Sequence, residues 1–331
     1  TVAVPILCIS LSCFAICVGY ANIYGHLFAE VVDVNPIPRL VSSSHNFWVL
    51  VFAACPLAFL VTLKDISLMW YGTIVAGVSC FFTLLVVVWR WLDGSYTPGS
   101  VVHHVAKWKS HSHQHLKDMY EFHHNEIQLL STLSVVYLMH FNAAKYYSEL
   151  KRQSKDRYTN GVTCAMVLGF GIVTTTMTCT FLTFGSKGRK ISLDNYDSDD
   201  KLAIIARIAL SLGLMGCFPL VFSGMREAII ELLCDVFPTG RDIFERVAFQ
   251  NIFSLALLVI MVSVACAGNR VDVMIISFGR STFGSLLIYT IPGCVYLGAT
   301  RAKQVQIPLP QMLVIVGSIV FGIFVSAASI L

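Results

Sequence analysis

The most informative stretch is 134–150, Ser-Val-Val-Tyr-Leu-Met-His-Phe-Asn-Ala-Ala-Lys-Tyr-Tyr-Ser-Glu-Leu. An apolar helix is interrupted there by His140 and Asn142, then by Lys145 and Glu149. Polar groups set deep in an apolar span are costly and face a cavity or a partner. His140 has the chemistry of a proton carrier, since an unperturbed imidazole titrates near about 6.5. An interhelical hydrogen bond that fixes packing is the competing use. A helix break within 137–145 would turn both polar groups into one cavity, so an interruption is expected there and none in 247–267.

Two further segments carry polar chemistry in apolar surroundings. In 211–226, Pro219 removes a backbone donor and frees a carbonyl one turn earlier. Gly213, Gly216 and Gly224 allow a backbone or a ligand to approach closely. Freed carbonyls in a broken helix can hold cations, and a kinked, inert helix fits the same residues. In 277–293, Arg280 lies in the first third of an apolar span. It either snorkels to the interface or pairs with an internal acid or a substrate, as a gating residue would.

Seven of the ten histidines, namely His103, His104, His111, His113, His115, His123 and His124, fall in the single segment 90–126. Membrane di-iron oxygenases gather histidines from several separated segments instead. A solvated loop is the expectation, with metal or proton binding as the alternative and a metalloenzyme as a third class. No metal and no cofactor are expected.

The elements that position these residues follow from composition. Of 331 residues, 56% are hydrophobic and 13% charged, with a mean hydropathy of +0.72. A soluble domain carries about 25% charged residues. Only a bilayer allows this much apolar surface, because a compact globule in water must cover itself with polar groups. The net charge of +4 is spread along the chain and leaves no nucleic-acid footprint. Ten of the eleven cysteines sit inside apolar runs, and Cys234 lies just past one, so they read as small hydrophobes rather than a disulfide framework. No Asn-x-Ser/Thr acceptor occurs.

Spanning helices need about 20 apolar residues. About nine candidates run near 1–29, 46–63, 66–89, 127–147, 161–185, 203–225, 247–267, 273–300 and 309–331. The expectation is a single transmembrane domain over 1–331, all-α, with charged connections at 90–126, 151–157, 187–201 and 226–246. The dense basic run 151–157 favours the cytoplasmic side for that loop. Thr1 already lies inside an apolar run, so the chain reads as truncated at its N-terminus.

The run from His140 through Tyr147-Ser148-Glu149-Leu150-Lys151 resembles the sixth helix of the amino acid/auxin permease family. Other motifs fall in order around it. Gly19-Tyr20-Ala21-Asn22-Ile23-Tyr24 is similar to the family's third helix, and Pro56-Leu57 through Leu63-Lys64 to the end of its fourth. Cys217-Phe218-Pro219 followed by Arg226 is similar to the eighth, and Ile291-Pro292-Gly293-Cys294-Val295-Tyr296-Leu297 to the tenth. The long 90–126 connection falls where sodium-coupled neutral amino acid transporters carry an external loop.

This resemblance implies a LeuT-like fold of inverted repeats, truncated here to family helices three to five in 1–89, six to ten in 127–300 and the last in 308–331. It implies an amino acid substrate moved by alternating access, with a proton or sodium as coupling partner. The membrane would be the plasma membrane or a vacuolar or lysosomal membrane of a eukaryote. Tyr137, His140, Phe141 and Asn142 would line the sixth-helix break, Tyr20 and Asn22 would face it, and Cys217 and Ser223 would lie near the ion. Half of the family's site belongs to its first helix, which these residues do not include. Sodium-coupled members carry a hydroxyl near the position of Cys217. A thiol is a poor ligand for a hard cation, which shifts the expectation toward proton coupling or uncoupled exchange. A nontransporting amino acid sensor on the same fold is the rival reading.

Overall fold

A computed structural model describes residues 3–33, 45–52, 66–96, 133, 136–138, 142–185, 188–189, 191–267, 282–304 and 306–328. Every regular element among them is helical. In hydrocarbon each backbone polar group must be satisfied within its own segment, which continuous apolar runs achieve only as helices.

The helices are α1 (Ala3–Asp33), α2 (His45–Phe52), α3 (Ile66–Asp93), α4 (Ala143–Glu149), α5 (Lys155–Phe184), α6 (Lys201–Val236), α7 (Arg241–Phe244), α8 (Val247–Cys266), α9 (Ile291–Ala302) and α10 (Leu309–Ala328). Six are long and apolar enough to cross a membrane: α1, α3, α5, α6, α8 and α10. The other three expected spans, at 46–63, 127–147 and 273–300, lie partly outside the described residues. Their described parts are helical in α2, α4 and α9. The described cysteines are free.

α6 is the central helix and packs most heavily on α1 and α3. One core joins α1, α2, α6 and α8 through Cys13, Cys17, Phe52, Phe218, Phe222 and Met261. A second joins α1, α3, α5 and α6 at one membrane face through Leu27, Val87, Phe184, Leu193 and Tyr196. α5 is the opposite case. Only 6% of its apolar window is buried against protein, compared with 50% for α1, so the described helices leave most of the α5 surface uncovered.

The α6–α3 crossing is close because both helices carry glycine there. A Cβ on Gly72 would sit 2.7 Å from the Gly216 carbonyl oxygen, and one on Gly213 would sit 3.0 Å from Ser79 Cβ. Small residues at such a crossing let two backbones touch, and dispersion then replaces the hydrophobic effect as the driving force in lipid.

Two expectations need correction. The span read as 203–225 runs on to Val236, and part of the expected loop 226–246 is helix. No glycine or proline stands between Met225 and Pro238, so nothing ends the helix where the apolar run stops. At 36 residues it is about 54 Å long, more than the roughly 30 Å hydrocarbon core, and its end projects beyond the membrane. Likewise α5 begins at Lys155, inside the basic connection expected at 151–157 and ahead of the span expected from 161. The start of α6 is fixed by Asp200, whose side chain accepts from the backbone N–H of Leu202 and of Ala203.

Candidate functional site

The helix break expected in 137–145 is present. Val136 is helical, Tyr137 lies in a turn and Leu138 has no regular structure. Helix resumes at Ala143, with Asn142 in the N-cap position at φ −105° and ψ 5°. The expected contrast also holds, since α8 is unbroken from Val247 to Cys266. His140, Phe141 and Arg280 lie outside the described residues.

Three contacts hold the half-helix α4. Lys145 Nζ donates to Glu227 Oε1 of α6 at 2.6 Å. The Tyr158 hydroxyl of α5 donates to the Ala143 carbonyl at 3.2 Å. The Tyr147 and Tyr158 rings meet edge to face at 5.5 Å. Tyr137 leans on α5, where its ring would be 3.8 Å from a Cβ on Gly169.

At the start of α4 the break meets α6. Asn142 is 4% exposed. Its side chain lies near the Tyr146 phenol, and Tyr146 lies within electrostatic reach of Cys217. Cys217 in turn lies within reach of Cys80 on α3. The Asn142 amide nitrogen is enclosed and has no partner among the described residues. A buried amide donor without a partner costs about 1–3 kcal/mol, so an acceptor delivered to this place would be held well. Asn142 and Cys217, separated by 75 positions, thus both lie in the neighbourhood of Tyr146.

The other expected residues stand apart. Ser223 is 3% exposed and lies six positions beyond Cys217, about 9 Å along the helix. Its hydroxyl already donates to the Leu220 carbonyl at 2.9 Å. Tyr20 packs against the core shared by α1, α2, α6 and α8. The Asn22 carbonyl is in hydrogen-bond contact with His45 Nε2 at 3.2 Å, while its amide oxygen is enclosed without a partner among the described residues. Pro219 does not break α6, which continues through it, although it leaves the Met215 carbonyl without its helical donor.

Two local features went unread in the sequence. Tyr146 follows Asn142 by four positions, the spacing that places two side chains on one helix face. The second is a π-helical stretch, Leu286–Thr290, directly before α9. Pro292, in the first turn of α9, supplies no N–H, and π-turns of this kind gather at functional sites. α10 packs closely on it, since a Cβ on Gly322 would sit 2.7 Å from Tyr289 Cβ. Ser326 Oγ of α10 donates to the Thr282 carbonyl at 3.2 Å.

Among the described residues no group of three His, Cys, Asp or Glu side chains could hold a metal ion. The seven-histidine segment lies outside them. Chemically, the break offers an amide, a phenol, a thiol and freed backbone groups, a set suited to binding a small polar solute.

Residues 2–331 match the family described as transmembrane amino acid transporter protein. The chain is similar to sodium-coupled neutral amino acid transporter 7 of Homo sapiens, 20% identical over 338 residues, covering 95% of this chain and 68% of the relative. The Mus musculus protein of that name is 20% identical over 339 residues with the same coverage. The Rattus norvegicus protein is 21% identical over 339 residues, again covering 95% and 68%.

Proposed function

This chain belongs to the transmembrane amino acid transporter family, and from that premise we propose that it moves amino acids across a eukaryotic membrane by alternating access around the break at 137–142. The observation that carries this reading is the Asn142 amide, buried with no partner among the described residues and set at the start of α4 near Tyr146. A substrate carboxylate is the natural acceptor for that amide and for the free N–H groups at the helix start. Tyr137, His140 and Phe141 complete the lining on this proposal. Arg280 gates it on this proposal, while Tyr20 and Asn22 of α1 stand apart from the break.

The relatives' names specify sodium coupling. For this chain we assign the proton. Cys217 offers sulfur where a hard cation wants oxygen. Flux of labelled neutral amino acids into proteoliposomes containing the protein tests both points. Uptake driven by an inward proton gradient without sodium is the expected result. Sodium-dependent uptake overturns the coupling assignment. Saturable binding without flux favours a sensor on the same fold.

A further inference from the structure

At the membrane face that carries the α5–α6 connection, a second charged cluster lies outside the candidate site. Arg207 of α6 is 1% exposed. Its Nη2 donates to the Leu193 carbonyl at 3.0 Å and to the Tyr196 carbonyl at 2.9 Å, and lies 3.1 Å from Glu30 Oε2 of α1. Its Nε and Nη1 have no partner among the described residues. The 191–200 segment is thereby fastened to two helices through one guanidinium. Leu193 and Tyr196 are 1% and 3% exposed and belong to the core at this face.

Asp194 of the same segment turns a carboxylate into the cluster, and its Oδ1 is buried with no partner among the described residues. The charged and titratable groups around it are His26 and Glu30 on α1, Arg189 on the connection and Arg207 on α6. His45 of α2 stands against His26, with ring centroids 5.5 Å apart. Arg189 is 68% exposed and 3.9 Å from Glu30, so solvent screens it. Glu30 is 27% exposed, but its Oε2, like Asp194 Oδ1, is enclosed. Among the described residues two enclosed carboxylate oxygens therefore face one enclosed cation, Arg207, and are one negative charge in excess when both acids are ionised. Excess buried charge is expensive, and one proton cancels it.

We infer that the carboxyl pair Glu30 and Asp194 forms a proton-binding site beneath the 191–200 segment, and that filling it seats the segment on the bundle. The sign follows from linkage. Burial, the largest cause, pushes the Asp194 carboxyl above the usual carboxylate range, outweighing the pull of His26, Arg207 and Arg189. A group whose acid is weaker in the seated state binds its proton more tightly there, so protonation and seating favour each other. The segment is seated in acid and loosens as pH rises through the raised value. The site responds to the pH of the compartment on that face, independently of what the sixth-helix break binds.

The test uses the protein in lipid nanodiscs with its native cysteines replaced. Leu193→Cys reports lifting of the segment, because Leu193 is buried when seated, and Ser198→Cys, exposed throughout, corrects for the intrinsic pH dependence of maleimide attack. The ratio of the two labelling rates is expected to rise by about threefold or more between about pH 5 and about pH 8. With Asp194→Asn, and with Glu30→Gln added, the ratio should become flat. Should Leu193→Cys misfold, Tyr196→Cys replaces it as reporter. A flat ratio in the otherwise unsubstituted protein overturns the inference. So does a pH dependence that survives both acid substitutions, and one that disappears on His26→Gln alone assigns the proton to the imidazole instead.

Discussion

Gly72 and Gly216 meet backbone to backbone where α3 crosses α6, with no room for a side chain on either. Their contact sets the depth at which α6 sits, and with it the position of Cys217 one residue on. Gly216→Ala forces the two helices apart or strains them. Overpacking of this kind costs about 1–3 kcal/mol. Thermal unfolding in detergent should show a clear drop in midpoint for Gly216→Ala. Gly171→Ala on α5, where a Cβ meets nothing within 4 Å, should be neutral or slightly stabilising because alanine is the better helix former. Equal effects at the two positions would sink the close-crossing account.

Asp200 gathers donors from three elements. Arg90 Nη2 donates at 2.5 Å and the Tyr96 hydroxyl at 3.0 Å, besides the capping bonds from α6. Burial raises its carboxyl, but the bonds from Arg90, Tyr96 and the Ala203 backbone outweigh that and hold it below the ordinary range. Asp200→Asn should cost about 1–3 kcal/mol through the lost charge-assisted bond. The sign in pH is opposite to that at Asp194. Stability from Asp200 is present above its unfolded pKa and fades as pH falls through the depressed folded value. Chemical denaturation across the acid range should show that loss in the parent protein and not in Asp200→Asn.

These two carboxylates show how far the sequence could be read. The spans were legible because long apolar runs need no partner to be recognised. The break at Tyr137–Leu138 was legible because His140 and Asn142 are too polar for the run around them. Arg207 gave no such signal. Its meaning depends on carbonyls 11 and 14 residues away in a connection of no regular pattern. The overrun of α6 to Val236 was hidden because 226–236 is helical by amphipathic pattern rather than by apolar length. Tyr146 passed as one more aromatic until α4 placed it beside Cys217.

Lys145 and Glu227 form the clasp between α4 and α6, with side chains 29% and 47% exposed. Exposed pairs contribute about 0.2–1 kcal/mol, enough to bias two conformations by up to about fivefold without threatening the fold. If α4 swings during alternating access, Glu227→Gln should speed labelling of a cysteine at Ala143 from the 151–157 side by a few-fold. The charge reversal Lys145→Glu with Glu227→Lys should restore the parent rate. Restoration is the decisive reading, because a purely structural loss would not be recovered by exchanging the charges.

The sixth-helix break separates transport from packing. If Asn142 and Tyr146 only fix helix packing, Asn142→Ala leaves a small void and its main effect is on folding. If they bind substrate, the protein folds and the Michaelis constant for amino acid uptake rises. On the binding reading, Asn142→Ala should raise it by roughly tenfold, the loss of a hydrogen bond to a charged group. Tyr146→Phe should act less, since it leaves the Asn142 amide in place. His140→Ala should cut uptake and change its pH dependence while membrane insertion stays near normal, because a cavity residue contributes little packing. Normal uptake with unchanged pH dependence would remove His140 from the site. Failure of His140→Ala and Asn142→Ala alike to reach the membrane would return the break to a packing role, whatever the proton-binding cluster at the other face then does.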